Sequence, residues 1–128
     1  MTNDVALDVA TYLQAAGVGT LGAVVFAGQM PEATDTALCV TTYAGQPADK
    51  IVPIEFPRVQ VRTRAKDKRI AYDLCTAAKV ALHATTDATI NGVLYKRIDA
   101  TGAPEFIGKD EVQRFNFTVN FQIVKVVG

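Results

Sequence analysis

Residues 57–83 read PRVQVRTRAKDKRIAYDLCTAAKVALH, and two periods meet inside them. From Arg58 to Arg64 the chain alternates, with Val59, Val61 and Thr63 on one side and Arg58, Gln60, Arg62 and Arg64 on the other. A repeat of two is that of a strand with one buried face. Further on, the repeat lengthens. Ile70, Leu74, Ala77, Ala78 and Ala81 recur at helical spacing and predict one apolar stripe. Asp67 stands at the join, where a carboxylate can accept from the free N–H groups of a first turn. A strand with a basic outer face therefore turns tightly into an amphipathic helix, and both need other elements to cover their apolar sides.

Toward the N-terminus, residues 4–16 predict a helix with Val5, Val9, Ala10, Leu13 and Ala16 on its apolar side and Asn3 or Asp4 as its cap. Gly17 follows where a left-handed C-cap belongs, and Val18 can fold back onto Leu13. Residues 23–26 read as a short buried strand, 28–36 as a turn region around Met30-Pro31, and 36–43 as a second strand. The two strands are expected to pair as a hairpin with a long connection. Residues 44–56, AGQPADKIVPIEF, read as an irregular loop, because Pro47, Pro53 and Pro57 oppose regular structure. Ile51, Ile54 and Phe56 make this loop unusually apolar. Either it packs on its own domain or it docks on another chain.

Toward the C-terminus, Asn91-Gly92 is a strong turn signal and 93–98 a further strand. Residues 101–108, with Gly102 and Pro104, read as loop. The chain closes on its cleanest pattern. Phe115, Phe117, Val119, Phe121 and Ile123 alternate with Arg114, Asn116, Thr118, Asn120 and Gln122. A long strand with this much to bury belongs at or near the centre of its sheet. The sum is a single α+β domain over 1–128, with a mixed, mostly antiparallel sheet and two main helices packed against it.

A chain of 128 residues has the size of one domain. Thirteen basic residues balance thirteen acidic ones, so no global field draws the protein to nucleic acid or to an anionic membrane. The same neutrality removes repulsion between copies. The N-terminus, MTNDVALD, is acidic and polar, unlike a secretory signal, and no apolar run reaches the length of a membrane span. Two cysteines, Cys39 and Cys75, are too few for a disulfide framework or a zinc site and read as reduced thiols in or near the core.

Candidate motifs resolve against chemistry. Residues 17–22, GVGTLG, match G-x-G-x-x-G, but a dinucleotide site needs a strand before the glycines and a helix after them, and here the order is reversed. Asn116-Phe117-Thr118 has the form of a glycosylation acceptor inside a strand. His83, the one histidine, lies at a helix end, where a cation suits the dipole, and lacks a recognisable nucleophile and orienting partner. Asp110 and Glu111 are adjacent carboxylates in a solvated loop beside Lys109. No catalytic, cofactor or metal set emerges. The stripe Arg58, Arg62 and Arg64 is either a solvated face or a contact surface, since arginine forks pair with carboxylates across interfaces. No aromatic interleaves it, which argues against nucleic acid.

Taken together, YLQAAGVGTLGAVVFAGQMPE at 12–32, FPRVQVRTRAKDKRIAYDL at 56–74 and PEFIGKDEVQRFNFTVNFQI at 104–123 resemble the tail terminator proteins of long-tailed bacteriophages, also called tail completion or minor capsid proteins. Lys109 departs from the pattern, which expects arginine there. The resemblance implies a structural virion protein at the tail–neck junction, made in the host bacterial cytoplasm. It implies a homo-oligomeric ring, usually a hexamer, that caps the head-proximal end of the tail tube, stops its polymerisation and meets the head connector or stopper protein. Genome DNA would pass through the lumen without sequence-specific binding. Candidate contacts with another subunit or the tail tube are Arg58, Arg62, Arg64, Ile51, Ile54 and Phe56. A head-completion or stopper protein, or a small ligand- or nucleic-acid-binding α+β domain, are the competing classes.

Overall fold

The computed structural model describes residues 4–46 and 53–126. Its elements run α1 (Val5–Ala15), β1 (Val25–Ala27), β2 (Ala37–Gln46), β3 (Ile54–Ala65), α2 (Lys68–Leu82), β4 (Thr85–Ile90), β5 (Val93–Ala100), β6 (Glu105–Lys109) and β7 (Phe115–Val126). The strands form one sheet in the order β1-β2-β3-β7-β5-β4, with β6 also beside β7. The fold is α+β, as the periodicities predict.

The sheet is organised around β7. Along one edge it pairs with β3, from Ile54↔Val126 to Ala65↔Phe115. Its other edge is shared. β6 takes Phe115 to Thr118 and β5 takes Phe121 to Lys125, while Thr101 N–H bridges the gap by donating to Asn120 O at 2.9 Å. The strand with the most to bury is thus flanked on both sides, and Phe121 and Ile123 are fully buried.

One pairing is parallel, β1 with β2 (Val25↔Leu38), so the expected hairpin does not form. The intervening loop returns to the end of the sheet where β1 began, and two buried arginines hold it there.

Both helices lie on the face that carries Val59, Val61, Phe117, Val119, Phe121 and Ile123. Asp4 caps α1 by accepting from Leu7 N–H at 3.1 Å. At its other end Val18 N–H donates to Leu13 O and Gly17 N–H to Gln14 O, with Gly17 at φ +82°, a Schellman closure. Asp8, on the same helix, is buried and accepts from Asn91 Nδ2 at 2.8 Å and Tyr95 Oη at 2.5 Å. That carboxylate ties α1 to the β4–β5 hairpin.

Asp67 caps α2 as expected, accepting from Arg69 N–H at 2.8 Å. The buried stripe of α2, however, is Ala71, Cys75, Ala78 and Leu82. Leu74 and Ala81 flank it, Ala77 is exposed and Ile70 is 49% exposed. The stripe is rotated by one residue from the expected one. The physical reason is close approach: the helix backbone sits so near β3 that small side chains must face it.

The described part of the expected loop at 44–56 is strand except at Pro53. β2 runs to Gln46 and β3 starts at Ile54, so Ile54 and Phe56 are strand residues, while Ile51 lies outside the described residues. Pro57 does not end β3. It falls at a register shift between Phe56↔Gln46 and Arg58↔Tyr43, where its missing N–H breaks no ladder bond. β4 and β6 were not expected. In β4 the alternation is disturbed at Asp87, which has φ +50°, and in β6 Gly108, at φ +115°, accompanies another register shift.

Candidate assembly surfaces

The second face of the sheet is polar. Register aligns Cys39, Arg62 and Thr118 across β2, β3 and β7, then Thr41, Gln60 and Asn120, then Tyr43, Arg58 and Gln122. Because the helices occupy the other face, only the 28–36 loop and the β6–β7 turn stand over this one among the described residues, at one end. Between them a cleft of about 530 Å³ opens, with Thr41, Gln60 and Arg62 in its lining.

Arginines build the walls of that cleft. The Arg114 side chain is 2% exposed; its Nε donates to Asp110 Oδ2 at 2.7 Å, Nη2 to Glu32 Oε1 at 2.6 Å, and Nη1 to the carbonyls of Glu32 and Thr34 at 2.8 and 3.2 Å. Arg64 is also buried, and donates from Nε and Nη2 to Thr34 O at 3.1 and 2.7 Å and from Nη2 to Pro31 O. Burial pushes the Arg64 pKa down and the neighbouring Arg114 charge adds to this, against Glu32 and Asp110. The backbone N–H of Arg114 is the first cause that holds the Asp110 carboxyl below its usual range. This network fastens the loop to the sheet.

The three arginines of the stripe therefore separate. Arg64 is turned into its own chain. Arg62 is exposed; its Nε and Nη2 both donate to Asn116 Oδ1, at 3.1 and 2.9 Å. Arg58 is half-buried beside Phe56 and Gln122 in a small depression of about 150 Å³. Neither Arg58 nor Arg62 has a carboxylate partner among the described residues.

The β2–β3 arm forms the far end of this face. Phe56 is 37% and Tyr43 42% exposed, and Ile54 is half-buried. At its root Lys125, itself buried, donates to Glu55 Oε1 at 2.7 Å.

A second surface escaped the sequence reading. Between α2 and β6 lies a groove of about 710 Å³ lined by Asp67, Lys68, Arg69, Tyr72, Pro104, Phe106 and Phe117. Tyr72 meets Phe117 edge-on at 5.6 Å, and Phe106 lies 5.4 Å from Phe117. The available signal was Tyr72 and Val80 on the outward side of α2, together with adjacent Phe106 and Ile107 in a segment read as loop.

The reactive candidates have structural duties. His83 Nδ1 accepts from Ala100 N–H at 3.0 Å, tying the end of α2 to β5. Asp110 closes the β6–β7 turn by accepting from Val112 N–H and Arg114 N–H. Among the described residues no three His, Cys, Asp or Glu side chains gather as a metal would need, and no helix is long and apolar enough to cross a membrane.

Comparison with known proteins gives this architecture a class. A family model described as "Bacteriophage tail terminator protein" matches residues 12–127. A chain in the structure titled "Virion of native gene transfer agent (GTA) particle" is similar in fold, with a TM-score of 0.69 and 16% identity over 98% of this chain and 96% of that one. No curated protein matches in sequence. The class is thus that of structural virion proteins rather than enzymes. The chain belongs to the bacteriophage tail terminator family. It is a virion component that assembles with other tail or head structural proteins.

Proposed function

We propose that this chain forms a ring, six copies in the reading its family resemblance implies, on the head-proximal end of the tail tube. The ring stops tube growth and offers its outer surface to the head connector or stopper protein. The carrying observation is the uncovered sheet face, on which Arg58 and Arg62 lack carboxylate partners among the described residues and which ends in the exposed Tyr43 and Phe56. A ring subunit needs unlike surfaces that its neighbours complete. Arg58, Arg62, Ile54 and Phe56 are the proposed contacts with a neighbouring subunit or with tube protein; Ile51 belongs to the same arm by sequence. Arg64 contributes by fixing the 28–36 loop. DNA passes through the lumen without base recognition, in keeping with a neutral chain whose basic stripe carries no interleaved aromatic.

Negative-stain microscopy of the purified protein, alone and with tail tube protein, tests this. The expected result is rings with a central hole, and tubes that end at such rings. Rings that never cap tubes would favour a stopper, and a monomer under both conditions would reject the reading.

A further inference from the structure

We infer that the α2–β6 groove receives the β2–β3 arm of the neighbouring copy; the inference rests on the ring reading above. The two features lie at opposite ends of one molecule. The groove gathers where Ala65 pairs with Phe115, and the arm where Ile54 pairs with Val126. At about 3.3 Å per residue, Tyr43, level with Gln122, lies roughly 17 Å along β7 from Phe117, and Phe56 lies about two residues further away. A protomer cannot fill its own groove with its own arm across that distance, but a head-to-tail neighbour can.

The chemistry of the two ends matches. Tyr72 and Phe106 are partly exposed over Phe117, a setting that favours edge or offset aromatic packing. The arm presents Tyr43 and Phe56. Lys68 Nζ sits 4.8 Å from the Phe106 ring centroid, and a smaller continuation of the groove, about 310 Å³, carries Lys79 and the exposed Val80. Neither lysine has a carboxylate partner among the described residues. Glu55 leaves β3 on the side opposite Phe56, where it accepts from Lys125 Nζ at 2.7 Å. Aromatic rings thus meet an aromatic groove, rimmed by lysines that have no carboxylate partner among the described residues of their own chain.

The backbone offers the same complementarity. β1 pairs with β2 only as far as Val40, so among the described residues the arm half of β2 has β3 as its single neighbour. Among the same residues β6 pairs with β7 alone. Each end of the molecule therefore carries a free strand edge, the feature through which separate chains extend a sheet.

Two variants test the inference. In the groove variant, Lys68→Glu with Tyr72→Glu, both changes fall on the outer side of α2. In the arm variant, Tyr43→Glu with Phe56→Glu, both lie at exposed strand positions. With wild-type melting curves, each variant alone should sediment as a monomer, while an equimolar mixture should give a dimer and nothing larger, because one junction remains intact. Rings formed by either variant alone would overturn the inference and leave the ring reading standing. A wild-type protein that never forms rings would remove both. If a variant fails to fold, the cysteine pair Phe56→Cys and Tyr72→Cys replaces it. Oxidation of rings made from the double variant should yield a covalent ladder that neither single change gives. Absence of the ladder would assign the groove to another occupant and sink the inference. So would a Tyr72→Cys thiol that becomes shielded from maleimide only after tube protein or DNA is added.

Discussion

Thr63 and Ala71 join the sheet to its main helix by a direct bond: Thr63 Oγ1 donates to Ala71 O at 2.8 Å, and both residues are fully buried. A strand hydroxyl that reaches a helix carbonyl leaves no room for a large side chain between the two backbones. Ala71→Leu should therefore destabilise the protein by about 1–3 kcal/mol, the usual effect of overpacking. Chemical denaturation measures it, and an unchanged midpoint would mean the helix is free to lift away.

Cys75 lies on the same buried face. Burial pushes its thiol up to about 11, with the nearby Thr63 hydroxyl pulling slightly the other way. At neutral pH it is a protonated thiol and a poor nucleophile. In the native protein it should resist a thiol reagent at about pH 7.5, well below that pKa, and react only on unfolding. Rapid labelling of Cys75 under native conditions would contradict the packing described.

Phe121 sits at the middle of the core on β7, between Val59 of β3 and Ala100 of β5. Phe121→Ala should cost about 3–5 kcal/mol, the range for a buried aromatic. Phe106→Ala, at a half-exposed ring, should cost distinctly less, and the ordering of the two thermal midpoints is the check.

Arg114 fastens the 28–36 loop through charge-assisted bonds to the carbonyls of Glu32 and Thr34 and to the Glu32 carboxylate. Arg114→Ala should free that loop while leaving the sheet paired. Hydrogen exchange should rise at 28–36 well above any rise in β3 or β7. Acid should act on the same network. The Asp110 pKa is lowered in the folded state, so its contribution is fully present above the ordinary carboxylate pKa of about 3.9 and fades as pH falls through the lowered value. Asp110→Asn should flatten the loss of stability below about pH 4, and an unaltered acid slope would place that loss elsewhere.

The two central arginines should behave differently when reversed. Arg62→Glu alters an exposed guanidinium and should leave the circular dichroism spectrum intact while preventing rings or capped tubes. Arg64→Glu buries a carboxylate against the carbonyls of Pro31 and Thr34 and should unfold the protein. Normal rings and capped tubes from Arg62→Glu at moderate salt would remove Arg62 from the contact.

These residues also show what was readable in the sequence. Alternation alone located β3 and β7, because a half-buried strand writes a two-residue repeat. It also placed β7 centrally, where β3, β5 and β6 surround it. Asp67, Gly17 and Asn91-Gly92 signalled ends and turns through local backbone chemistry, which needs no tertiary context. The facing of α2 was not legible: Ala71 and Cys75 look less apolar than Ile70 and Leu74, and only the proximity of β3 makes small size the deciding property. Arg64 reads like Arg62 in sequence, since the carbonyls that claim it come from about thirty residues earlier in the chain. The groove at Tyr72 and Phe106 was hidden because β6 is short and its apolar residues are half-exposed, so it carries no period of its own.

The Lys125–Glu55 pair at the root of the arm, its lysine buried and its carboxylate partly exposed, has a mechanical consequence. β3 and β7 are bonded along almost their full length, and the pair clamps them together one residue from the last pairing, Ile54↔Val126. Such a ribbon resists bending as a beam does. A load on the arm would not be absorbed by a yielding hinge but carried along both strands to the opposite end, where Arg64 and Arg114 grip the 28–36 loop. In a closed assembly each subunit would then pass force to the next, and stiffness would belong to the whole circuit rather than to any single contact.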